Sequence, residues 1–464
     1  MKNLIQPFLV LFLPFMLSGQ AQQANLLYNW NDTTLIVNNW PGGRYNEVWG
    51  VAINGLEIGI IGSTEGVHFI DVTDPVNSYE IESAFVPGLV AGANIIHRDY
   101  HDYHGYLYTV ADEGPSSLQI IDMTHLPDTA LLVYDSDQFF QKAHNIFIDS
   151  TAARLYATGS AGIKVLSLED PVNPVLIASF PNGKLDVPYT HDLYVRGDTA
   201  FLNCGNSGLW VVDLTDIENP ELLGNMTIYE QQGYNHSGWM HESLPYYYLG
   251  DETHGMDLKV VNVEDHNDMY VVNTFDAESP AQTSIPHNLL VRGNYLYVSY
   301  YYDGVQVYDI SDPEHPVRVY YYDTYSGPDA AGFKGAWGVY PYLPSGNILV
   351  SDMQSGLFVL ESIDASITAT EAPEIFTSAI TVWPQPVTNS FHVQLNLESP
   401  AVKVDFKLFD LAGKQLFFRT TERLPAGANR FDFDWSRNLV DGIYFLYIES
   451  DDFALTRKLV VQRR

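Results

Sequence analysis

One stretch of about fifty residues recurs along the chain, and this recurrence limits the possible folds more than any other feature of its 464 residues. Its clearest copy reads IPHNLLVRGNYLYVSYYYDGVQVYDISDPEHPV, residues 285–317. Counting from His287, Gly304 follows at 17, Asp309 at 22, Asp312 at 25 and Pro313 at 26. The same offsets from His191 give Gly208, Asp213 and Asp216, and from Trp49 they give Gly66, Asp71, Asp74 and Pro75. Looser copies start at Arg98, His144, His236 and Trp337, so seven origins stand 49, 46, 47, 45, 51 and 50 residues apart. That period is typical of four-stranded propeller blades.

Alternation and turn chemistry divide each unit into strands. In the sixth, NLLVR, YLYVSY, VQVYDI and VRVYYYD read as strands, with Gly293 and Asn294 turning the first hairpin. The DISDP, DVTDP and LEDP segments link third strands to fourth, and their acids read as turn-formers in preference to calcium ligands. The seventh unit ends after LFVLES with three strands. ANLLYNWND, residues 24–32, resembles a fourth strand placed before the first unit and is expected to close the ring. The expected fold class is therefore all-β: a seven-bladed β-propeller over residues 24–362, followed by a small Ig-like β-sandwich.

The opening residues MKNLIQPFLVLFLPFMLSGQA combine Lys2, an apolar run and small residues at Gly19–Ala21, the pattern of a secretory signal peptide spanning 1–21. The apolar run is shorter than the roughly 20 residues of a spanning helix, so no transmembrane segment is expected in the mature protein. Cys204 is the only cysteine; stability must come from packing without an intramolecular disulfide, and the thiol reads as buried and inert. A formal charge of -34 repels phosphate backbones and anionic lipid, which argues against nucleic acid as a partner and for attraction of cations.

The units resemble the LVIVD-repeat family of bacterial surface proteins, also called choice-of-anchor B proteins. The resembling elements are His144-Asn145, His191-Asp192, His287-Asn288, Arg98-Asp99, HSGW at 236–239, GDE at 250–252 and cores such as Gly208 to Asp213. The resemblance implies a fold and a surface habitat and supplies no reaction. After residues 363–379, which read as a linker, the acidic bias fades and short alternating runs suggest the sandwich at 380–464. This tail resembles the type A C-terminal sorting domain of the Bacteroidetes type IX secretion system. The likeness rests on Pro384 and Pro386, Asp410 to Gly413 and Lys414, Gly442 and Tyr444, and Lys458 to Val461; Gln385 departs from the usual Asn. It implies the type IX machinery as partner, passage through the periplasm, and a destination outside the cell or on the outer-membrane surface.

If the first strand of each unit is innermost, the strand-start residues gather around a central channel. Antiparallel counting then places Arg98 near Asp112, His236 near Asp251, His191 near Asn203 and His287 near Tyr300, with His144, Asp303 and Asp352 close by. Imidazole with carboxylate suits zinc, manganese or iron, so a divalent metal is the cofactor such a site would take. The plainer alternative is that polar strand starts tie loops to backbone. Tyr-rich loops, YYYLGDE and YVSYYYDG, favour a non-enzymatic module binding a glycan, peptide or protein through one face. A metal-dependent hydrolase or lactonase-like enzyme at the channel mouth is the rival, and an inert surface component the third reading.

Overall fold

The computed structural model describes residues 21–279 and 285–363, and in the C-terminal part 380–383, 387, 390–397, 401–409, 415–425, 427–434, 442–450 and 453–461. The leader through residue 20, the linker from 364 to 379, and Pro384, Pro386, Asp410 and Gly413 of the sorting motif lie outside the described residues. The chain forms two compact units, 1–366 and 367–464.

The first unit holds seven antiparallel sheets of four or five strands among the described residues. Strand lengths follow the alternation in the sequence: in the sixth sheet, Leu289–Arg292, Tyr295–Ser299, Val305–Asp309 and Val317–Tyr322 pair in order. The first strands of successive sheets lie side by side, and the last of them (Ala336–Tyr340) meets the first (Tyr45–Ile53), so the sheets close radially as a β-propeller. Turn acids act on their own loops: Asp309 Oδ1 accepts the Ser311 N–H at 2.8 Å, and Asp213 Oδ1 accepts that of Thr215 at 2.8 Å. Neighbouring blades are also tied by hydroxyls, as where Tyr108 Oη donates to the Pro171 carbonyl at 2.7 Å.

Two N-terminal strands, β1 (Gln22–Gln23) and β2 (Leu26–Trp30), complete the ring. As the sequence anticipates, β2 pairs antiparallel with Gly356–Leu360 and supplies the fourth strand of the last sheet. β1 adds a parallel fifth strand to the preceding sheet, which the sequence does not announce. Trp30 is buried among Tyr45, Val48, Leu349 and Leu357, joining the chain's first blade to its last.

The second unit consists of a three-stranded and a four-stranded antiparallel sheet sharing a core of Phe391, Val393, Phe406, Phe431, Leu446 and Leu459. Gly442 opens one strand of the larger sheet, and Tyr444, buried, stands opposite Leu459 in the strand that carries Lys458.

Candidate functional site

The axis of the propeller is lined in three tiers. At one end, His97, His144, His191, His236 and His287 together with Trp337 form a closed circuit of rings whose neighbouring centroids are 4.0 to 5.3 Å apart. Each ring residue stands at or just before the start of its blade's innermost strand, which is why the sequence period reproduces it. In the last blade a one-residue bulge between Ala336 and Gly338 carries Trp337 inward, and the fifth blade uses the same device between Asn235 and Ser237 for His236.

Most of these imidazoles are held by Nδ1. His144 Nδ1 lies 3.0 Å from Asp112 Oδ2, His191 Nδ1 lies 3.0 Å from Tyr234 Oη, and His287 Nδ1 donates to the Trp337 carbonyl at 2.6 Å. His97 Nδ1 meets the Glu113 carboxylate. His236 is reversed: its Nε2 is 4.0 Å from Glu252 Oε2, and its Nδ1 has no hydrogen-bond partner among the described residues. His191 Nε2 also lacks one, although both residues are more than nine-tenths buried. Burial, reinforced by neighbouring imidazoles, drives the basicity of His191 and His236 far below the usual histidine range. Burial likewise lowers His287 to about 3.

Beneath this circuit lies a tier of acids and amides: Glu47, Asp99, Asn145, Asp192 and Asn288. Glu47 and Asp99 are buried and Asp192 half-buried, and the three carboxylates accept from the backbone N–H groups of Val48, Ile146 and Leu193, while Glu47 also accepts from the Asn288 amide at 2.6 Å. No lysine or arginine among the described residues pairs with them. Burial raises Asp99 to about 7, and burial followed by the Asp99 charge pushes Glu47 and Asp192 well above the usual carboxylate range. Deeper still, Trp49, His101, Phe147, Tyr194, Trp239 and Tyr340 form an aromatic tier. The space among the imidazoles and acids is about 20 Å³, room for one small ion or one water. That between acids and aromatics is about 60 Å³.

Of the residues anticipated from sequence, the structure brings together His144, His191, His236 and His287, with Asp112 behind His144. Arg98 turns away from Asp112: its guanidinium donates to the carbonyls of Ser63 at 2.8 Å and Val90 at 2.5 Å. Asp251 stands beside Asn235 in the ladder, but its side chain faces away from His236 to take Lys259 Nζ at 2.6 Å and Tyr229 Oη at 2.8 Å. Asp352 accepts Thr324 Oγ1 at 2.8 Å and the N–H groups of Gln354 and Ser355, the work of a turn acid. Asp303 sits in the turn after Tyr302, outside the channel lining. His97, Glu252 and the three channel acids are absent from the sequence-based candidates. Their signal is an acid or amide one or two residues after the ring position, seen at Asp99, Asn145, Asp192 and Asn288.

Radially packed four-stranded sheets around a lined axis define a β-propeller. The C-terminal WD40 domain of Sif2 matches the chain with a TM-score of 0.51 at 8% identity, over 74% of this chain and 99% of that one, and shows the same fold. PorZ, a bacterial surface component of the type-IX secretion system of Porphyromonas gingivalis, matches with a TM-score of 0.48 at 10% identity. That match covers 92% of this chain, which spans about 60% of PorZ's length. A protein from Lactobacillus plantarum matches at 0.49 and 12% identity, over 80% of this chain and 96% of that one. No curated protein matches the chain.

Family matches give the particulars. Residues 286–324 match the LVIVD repeat, and residues 381–462 match the secretion system C-terminal sorting domain. A type IX sorting tail indicates export to the cell surface or the extracellular space, by way of the secretion machinery that reads it. No helix among the described residues is long and apolar enough to cross a membrane.

Proposed function

We propose that this exported propeller is a non-enzymatic binding module that takes an extracellular glycan in an aromatic cleft beside the imidazole circuit. The cleft, of about 490 Å³, is lined by Asn39, Trp40, His254, Tyr302, Phe333 and Lys334. It lies near the circuit: Phe333 packs 5.4 Å from Tyr301, whose ring is 5.0 Å from that of His287. The observation that carries the reading is Trp40, 53% exposed with its indole 5.4 Å from the Phe333 ring. Large aromatic faces left in water mark a binding surface. Here the exposed Trp40, with half-buried Phe333 and buried Tyr302 behind it, stands beside an amide, an imidazole and an ammonium group. That combination suits a sugar ring, whose C–H face covers an aromatic side chain while its hydroxyls reach polar groups at the edge. The volume falls in the range of small-molecule sites.

The hydrolase reading draws less support, because the space inside the imidazole circuit admits an ion or one water and no organic substrate. The test is calorimetric titration of the untagged protein with a panel of soluble polysaccharides and oligosaccharides. Saturable binding that Trp40→Ala weakens at least about tenfold supports the proposal. Equal binding by Trp40→Ala, or capture of a peptide with no affinity for any saccharide, overturns it.

A further inference from the structure

We infer that the imidazole circuit is a binding site for one divalent transition-metal ion, held by His144, His191 and His236. The ligating atoms of these three side chains all lie within 4.8 Å of one another. Three features of the surroundings point to an ion.

The first is the pair of orphaned atoms. Among the described residues, His191 Nε2 and His236 Nδ1 are buried without a hydrogen-bond partner. A buried polar atom without a partner costs on the order of 1–3 kcal/mol, so two in one site call for a ligand. The second is the way the rings are anchored. Asp112 holds His144 by Nδ1, and Tyr234 Oη holds His191 by Nδ1, so in each the outward nitrogen is occupied and Nε2 is left. Metal-binding histidines carry this arrangement, in which the outer partner fixes the tautomer and the ring's aim. Coordination makes His191 the Nδ1–H tautomer, donating to Tyr234 Oη. The third is the fit: the space among the rings has room for a single ion, and Glu47, Asp99 and Asp192 line its floor, while Arg98, the one basic residue of the lining, spends its guanidinium on the Ser63 and Val90 carbonyls.

Donor chemistry selects the class of ion. Three neutral imidazoles suit zinc, copper, nickel or cobalt, whereas calcium and magnesium require oxygen ligands. Typical metal–nitrogen distances of about 2.0–2.1 Å draw the three nitrogens closer than the 4.8 Å limit, a contraction that side-chain rotation supplies. With three protein ligands, one coordination position is left over.

The test uses untagged protein stripped with a chelator, desalted, and titrated with zinc chloride, followed by elemental analysis of the dialysed complex. One equivalent of zinc per chain is expected, with affinity lowered at least about tenfold by His191→Ala and by His236→Ala. His315→Ala, at an exposed side chain, is expected to leave affinity unchanged. Because the buried substitutions can disturb folding, Asp112→Asn is the deciding companion: it keeps every ligand and is expected to weaken zinc about 10–100-fold. Cobalt loaded in place of zinc should show visible d–d absorption that His236→Ala removes. The inference fails if zinc, cobalt, nickel and copper all leave the protein unloaded, or if His191→Ala and Asp112→Asn take up metal as the parent does. Calcium binding that Asp192→Asn abolishes, with no transition metal taken up, places the site in the acid tier and overturns it as well.

Discussion

Replacing Asp99 by asparagine should raise the propeller's stability relative to the parent as pH rises. Asp99 is buried, accepts the Ile146 N–H at 2.6 Å, and is raised from 3.8 to about 7. A carboxyl that holds its proton more tightly when folded favours folding at low pH, and that contribution disappears as pH rises through the folded value. The raised acid is therefore most useful below its unfolded value near 3.8, and its contribution is lost by about pH 8. At 1.36 kcal/mol per pH unit, the interval from about pH 5.5 to about 7 corresponds to about 2 kcal/mol. Asparagine keeps the acceptor for Ile146 and never ionises. The stability of Asp99→Asn relative to the parent should thus rise by about 2 kcal/mol between about pH 5.5 and 8. Histidines buried neutral slope the other way, gaining stability as pH rises, but they are common to both proteins and drop out of the difference. Urea unfolding in chelator at the two pH values, followed by circular dichroism, measures it. A relative stability that is constant with pH, or that falls toward alkaline pH, would refute the assignment of Asp99 as a buried acid without a counter-ion.

Other consequences are open to simpler assays. Trp30→Ala removes the buried ring that joins first and last blades, and urea unfolding should show a loss of about 3–5 kcal/mol; a loss under about 1 would mean that β2 does not close the ring. Lys259→Met leaves the fully buried Asp251 without its ammonium and should cost about 3–5 kcal/mol, most of it recovered when Asp251→Asn is added. Cys204, with burial pushing its thiol up to about 12, should react with an aromatic disulfide reagent only after unfolding; prompt native reaction would contradict its burial.

Much of the architecture is legible in the residues themselves. The repeat sets blade boundaries, alternation sets strands, and the resemblance of residues 24–32 to a fourth strand anticipates the closure by β2. What the period cannot carry is depth along the axis. In the first unit, Trp49 shares every offset with His287, yet it lies in the deep aromatic tier against His101. There the opening hairpin is longer, Tyr45–Ile53 with Leu56–Ser63, and only two residues separate Ser63 from Gly66. The longer hairpin and shorter turn compensate, so equal counting reaches a different level. Bulges in the first, fifth and seventh blades also shift which residue faces the channel. The channel acids were hidden by another rule: neighbours on a strand point to opposite faces, so His191 and Asp192 do not read as partners. At the start of a strand beside the axis, both line the same space. Asp251 and Asp352 show the limit of ladder counting, which places backbones side by side and leaves side chains free to find Lys259 or Thr324.

The account stands on convergence of the strand starts into one buried circuit. Its most direct test is a nitrogen-15 NMR titration of the imidazoles in chelator-treated protein labelled at its 14 histidines. His191, His236 and His287, assigned by single substitution, should stay neutral and unshifted well below the usual histidine pKa of about 6.5. Ordinary titration of all three would mean that these side chains face water separately, and the circuit would not exist.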